Sequence, residues 1–156
     1  MATFVTSNIS AAMVSNFFAP AAALSWSADT INAALYGTTP DSALAKNDTF
    51  AHNAYNGTGG QWVTANEITG TGYTATGTAL GTKTNTFGSG TQQVSAANPS
   101  WTTATLSAVF GCLVYDVTLA SKAAFCWNYF GGSQSVTAGT FTVVWSGSGI
   151  LQFTIT

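Results

Sequence analysis

Ionic side chains are scarce in this 156-residue chain. It has three Lys (Lys46, Lys83, Lys122), no Arg, four Asp and one Glu, so charged residues make up 5% of it, against about a quarter in an ordinary soluble domain. Affinity for a phosphate backbone comes mainly from Lys and Arg, so nucleic-acid binding has almost no electrostatic footing. One His (His52) and two Cys (Cys112, Cys126) are too few for a structural zinc site. No acidic loop has calcium-ligand spacing, so neither metal nor cofactor is expected. No run of 18 purely apolar residues is present, which argues against a membrane helix. The last 34 residues, Ala123 to Thr156, hold no charge, but they alternate polar and apolar as strands do, and a lone strand cannot cross a bilayer. The start, Met1 to Ser7, lacks the basic and apolar regions of a secretory signal, so synthesis in the cytoplasm is expected.

Polar but uncharged residues take the place of ions. Thr occurs 26 times and Gly 16 times, while apolar residues make up 46% and aromatics 13%. Such a composition is too apolar for disorder. A surface of Thr, Ser, Asn and Gly solvates well but repels other protein weakly. Coverage by other protein, in a homo-oligomer or larger assembly, is therefore expected; a monomeric Thr-rich domain is the alternative.

The pattern divides the chain into an N-terminal piece, 1–25, and a main domain, 26–156. Ala11 to Phe18 suits a short helix, with Ser10 as N-cap and Pro20 as its stop. Phe17 and Phe18 either pack under the main domain or dock an arm on a neighbouring subunit. Strands are expected at Trp26 to Tyr36, Asn66 to Thr71 and Tyr73 to Lys83, with a weak edge strand at Gln92 to Ala96. Residues 41–62 form a long polar connection, and Trp62 at its end is the best exposed candidate for a carbohydrate-binding face. Short strands with turn signals about every ten residues predict an all-β, antiparallel sandwich or jelly-roll-like domain.

The clearest local expectation is a hairpin of Trp101 to Asp116 with Lys122 to Phe130. A charge pair between Asp116 and Lys122 would set Val114 opposite Ala124, Leu113 opposite Phe125, Cys112 opposite Cys126, Gly111 opposite Trp127 and Val109 opposite Tyr129. One face then carries Phe110, Cys112, Val114, Ala124, Cys126 and Phe130. The other carries Val109, Leu113, Tyr115, Phe125, Trp127 and Tyr129. A ribbon apolar on both sides must be covered on both sides. In two layers the second cover must come from a loop, the N-terminal arm or another subunit. Phe17, Phe18, Trp62, Tyr115, Trp127 and Tyr129 are thus the candidate protein-interface residues. Thr140 to Trp145 and Ile150 to Thr156 read as a closing hairpin.

Catalytic constellations are hard to assemble. His52 has Asp48 four residues before it, but no Ser lies in a nucleophile-elbow context. The five acids are scattered over different elements; Glu67 alone lies within an apparent strand and is read as pairing or hydrogen-bonding locally. No enzyme activity is expected. Cys112 and Cys126 are read as two buried thiols, with a cross-strand disulfide as the alternative in an oxidising compartment.

Asn66-Glu67-Ile68-Thr69-Gly70-Thr71-Gly72-Tyr73-Thr74-Ala75 resembles a segment of a family of small tailed-bacteriophage virion proteins. Trp101-Thr102-Thr103-Ala104-Thr105-Leu106-Ser107-Ala108 with Tyr115-Asp116, and Tyr129 to Ser135 followed by Gly139 to Thr142 and Trp145 to Leu151, resemble two further motifs of that family in the same order. The resemblance spans roughly residues 26–156. Two departures are Asn128-Tyr129, where the family has an acidic residue before Phe-Gly-Gly, and Phe110-Gly111, where its Gly comes slightly earlier. The resemblance implies a virion structural protein without catalysis, a head decoration (cement) or minor capsid protein. Its partners would be the major capsid protein or other virion proteins, and its location the virion. The alternative is a tail- or fibre-associated receptor- or glycan-binding module.

Overall fold

The computed structural model describes residues 2–3, 6–8, 13, 25–37, 53–57 and 62–154. Among these the chain is all-β. The strands are β1 (Ala2–Thr3), β2 (Thr6–Asn8), β3 (Ile31–Tyr36), β4 (Thr78–Ala79), β5 (Thr84–Gly88), β6 (Thr91–Ser95), β7 (Ser100–Asp116), β8 (Ala124–Val144) and β9 (Leu151–Thr154). A six-stranded sheet runs β1-β8-β7-β3-β4, with β2 also on β8, and a three-stranded sheet runs β5-β6-β9. Every pairing is antiparallel except the short parallel one of β1 with β8.

The backbone of the large sheet is the β7–β8 ribbon, of 17 and 21 residues. The expected hairpin forms, but in a register slipped by two residues. Gly111 faces Tyr129, Cys112 faces Asn128, Leu113 faces Trp127 and Val114 faces Cys126. The cause lies in the connection. Asp116 does not pair with Lys122; its Oδ1 accepts the N–H groups of Thr118 (2.7 Å) and Leu119 (3.2 Å), turning the chain at once. Its backbone N–H donates to Ala123 O at 2.8 Å, which lengthens the loop. Lys122 sits at φ 48 with its ammonium 5.4 Å from the centre of the Tyr55 ring. An even slip preserves facing, so most face assignments survive. A register shift between Val114 and Tyr115 puts Phe125 on the first face and Ala124 on the second, and Val109, beside another shift, also lies on the first.

β8 continues past Phe130 to Val144 rather than ending there. Register shifts recur along the outer half of the ribbon, between Trp101 and Gly111. Thr103 (φ 52), Ala108 (φ 53) and Ala138 (φ 46) adopt the left-handed conformation, as extra residues in bulges do. Two other expectations are corrected. Gln92 to Ala96 is no edge: β6 is the central strand of the small sheet. The closing hairpin expected of Thr140 to Trp145 with Ile150 to Thr156 does not form among the described residues: the turn at 146–149 sends β9 across to β6, with Val94 opposite Leu151. Residues 66–77 are mostly loop, with a 3-10 turn at Thr64–Asn66 and only Thr78–Ala79 extended.

The core lies on both sides of the large sheet. The first cluster joins Ile31, Ala33, Leu35, Cys112, Val114, Cys126 and Phe141 to Val94 and Leu151 of the small sheet. The second lies on the opposite face and contains Met13, Tyr36, Tyr55, Trp62, Leu113, Tyr115 and Trp127. Each large side chain so buried contributes about 1.5–3 kcal/mol. Cys112 and Cys126 are free, buried thiols, and burial pushes the Cys112 thiol well up from its ordinary value.

Candidate functional site

The four predicted interface residues that are described do not form an exposed patch. Trp62, Trp127 and Tyr115 are 0%, 0% and 1% exposed, and Tyr129 is half-buried against the same cluster. Of the three covers expected for the second face (a loop, the N-terminal arm or another subunit), the loop supplies Tyr55 and Trp62: Trp62 packs tilted on Trp127 at 4.8 Å, and Tyr55 stacks on Tyr115 at 4.3 Å. Trp62 is therefore no carbohydrate platform, and the two-sided ribbon is no evidence for assembly. β1 and β2 lie along β8 of the same chain. Phe17, Phe18, the expected helix beyond Met13, and His52 with its neighbour Asp48 lie outside the described residues.

Glu67 organises the densest polar cluster. It is 6% exposed and bridges to Tyr36 at the end of β3. Its Oε1 accepts the Tyr55 hydroxyl at 2.5 Å, and its Oε2 accepts the Tyr73 hydroxyl. The Thr76 N–H donates to both oxygens, at 3.1 and 3.0 Å. Tyr73 in turn accepts the Leu35 N–H at 3.0 Å, while Tyr115 donates to Thr76 O at 2.9 Å. The loop from Asn66 to Gly77 is thus wound around one carboxylate and pinned to β3 and β7. Gly77 is required there: at φ +71 its missing Cβ would stand 1.9 Å from Ala33 O.

Burial holds the phenols of Tyr36, Tyr55 and Tyr73 above their ordinary value, and Glu67 nearby adds to this for each. Tyr115, also chiefly through burial, is pushed up to about 12. The Tyr36 hydroxyl is buried with no hydrogen-bond partner among the described residues. With its acceptor sites occupied by these donors and little exposure, Glu67 acts as a lock for the loop.

A second polar corner joins the 25–30 turn to the β7–β8 loop. Asp116 Oδ2 is buried without a hydrogen-bond partner among the described residues, beside the carboxyl of Asp29. Burial, helped by Asp29, raises the Asp116 pKa, against the pull of the Leu119 and Thr118 N–H groups. Asp29 Oδ2 accepts the Ser25 N–H at 2.8 Å, and the Lys83 ammonium donates to Asp29 O. Among the described residues no group of three or more His, Cys, Asp or Glu is placed to hold a metal ion.

The surface has a different set of apolar residues from those predicted. Phe87 is 76%, Phe153 44% and Val117 36% exposed. A pocket of about 140 Å³ opens beside Phe153 where the small sheet meets the body, with Trp26, Phe125, Val94 and Leu151 forming its apolar floor. Alternation along Ile150 to Thr156 puts Phe153 on the apolar face with Leu151, where the structure exposes it, and sequence reasoning passed over Phe87, for which an aromatic in a short strand bounded by Gly-Ser-Gly was the available signal. No family model, curated protein or solved structure matches this chain.

Proposed function

We propose that this chain is a virion structural protein of the tailed-phage type, a head decoration (cement) or minor capsid protein acting through protein contacts without catalysis. The observation that carries this reading is the lack of charge on the edge strands of the small sheet: β5 and β9 contain no Lys, Asp or Glu. Exposed strands without charged guards pair readily with other protein, and lattice repetition multiplies weak contacts. The motif resemblance points the same way, and its Glu67 and Tyr73 belong to the loop lock. In this reading the two sheets form an open sandwich whose small-sheet edges, β5 and β9, pair with the shell or a sister copy and leave the face of that sheet open.

The test is quantitative mass spectrometry of purified particles carrying the protein, with a heating series. On the order of hundreds of copies per particle, released before shell rupture, is the expected result. A handful of copies overturns the decoration reading and moves the protein to a tail or vertex. The tail- or fibre-associated receptor module remains the second reading, without Trp62 as its carrier.

A further inference from the structure

The small sheet carries a rung of chemistry that the virion reading does not use. Phe87 lies opposite Gln92, and Gln92 lies opposite Phe153. Directly opposed residues on neighbouring strands share a face, so the two rings flank Gln92, their backbones roughly 10 Å apart across two strand spacings. The next rung, Asn85, Val94 and Leu151, shares that face, and its Val94 and Leu151 turn into the core. The face therefore changes from core to surface along its length, and the pocket lies at the change.

The pocket has an apolar floor and an amide rim. Trp26 is fixed on the floor by its indole N–H, which donates to Ser95 O at 3.1 Å, and by edge-on contact with Phe125 at 5.2 Å. At the rim Gln92 Nε2 donates to Asn85 Oδ1 at 3.3 Å. That orientation leaves the Gln92 carbonyl to accept and the Asn85 amide to donate. Among the described residues no charged side chain lines the pocket.

We propose that this cleft binds an uncharged saccharide. Sugars combine apolar C–H faces, which stack on aromatic rings, with vicinal hydroxyls that need a donor and an acceptor side by side. Phe153 provides the ring at the pocket, Phe87 stands outside the lining on the far side of Gln92, and Asn85 and Gln92 provide the paired donor and acceptor. An anionic sugar would find no cation among the lining residues. The binding is independent of whether the protein sits on a capsid.

The experiment is an NMR titration of the isotopically labelled full chain with maltose, cellobiose, lactose and chitobiose, and with glucuronic acid as the anionic arm. The side-chain amide signals of Asn85 and Gln92 and the Trp26 indole signal are followed. At least one neutral disaccharide should shift them saturably, with a Kd on the order of millimolar, and glucuronic acid should not. Gln92→Ala and Phe153→Ala should each weaken binding about tenfold, and Phe87→Ala less, all three keeping the parent's spectral dispersion. Silence of all three reporters to every neutral sugar, or binding unchanged in both Gln92→Ala and Phe153→Ala, overturns the proposal. So does a shift that tracks protein concentration alone and vanishes in Phe87→Ala, which assigns the face to a second copy.

Discussion

Glu67 draws together Tyr55, Tyr73 and Thr76, residues up to 12 positions away. A Gln side chain there would lose the charge and present an amide donor to hydroxyl and N–H donors. Glu67→Gln is expected to cost about 2–3 kcal/mol, and Tyr73→Phe about 1–2 kcal/mol, read from urea unfolding. The raised phenol pKa values give a second expectation. Their native pKa lies above the unfolded value of about 10, so their contribution is fully present below that pH and is lost as pH rises further. Spectrophotometric titration should show the phenolates of Tyr36, Tyr55, Tyr73 and Tyr115 emerging steeply, together with loss of structure. Sequence alone suggested that Glu67 bonds locally, because an acid within an apolar strand needs a partner. Its donors were not legible, since a loop excursion rather than a strand brings them in.

At the scale of the strand pair, alternation made the two faces of β7 and β8 readable, while register depended on a loop whose chemistry the Asp–Lys spacing misrepresented. Asp116 turned inward to cap Thr118 and Leu119. One expected contact survived the slip: a Cβ on Gly111 would lie 2.3 Å from the Trp127 ring, now a diagonal rather than a direct neighbour. Gly111→Ala should therefore overpack the ribbon and destabilise by about 1–3 kcal/mol, measured by thermal unfolding. The Asp116 turn is pH-sensitive with a definite sign. Its native pKa is raised, so its stabilisation is full below about pH 4 and declines as pH rises through the native value. Asp116→Asn, which keeps an acceptor for the turn and offers a donor toward Asp29, should remove that decline. The Tm of the variant relative to the parent should climb as pH rises above about 4; a constant difference would show that the Asp116 carboxyl is not held above its ordinary range.

Over the whole molecule, three cations and five acids leave little for salt to screen. Thermal stability should change little between about 0.02 and 0.5 M sodium chloride, as scanning calorimetry would show. Composition disclosed this economy of charge, and the recurrence of short strands and turns disclosed the all-β class. It did not disclose that Met13, Tyr55 and Trp62 would cover the second face, because long-range burial leaves no periodic trace in a polar connection. The length of the ribbon bears on how the polypeptide is made. β7 is finished at residue 116, but its partner is complete only at 144. At ribosomal speeds of about 5–20 residues per second, a greasy strand waits on the order of seconds for its mate. During that interval the nascent chain is a natural client for chaperones.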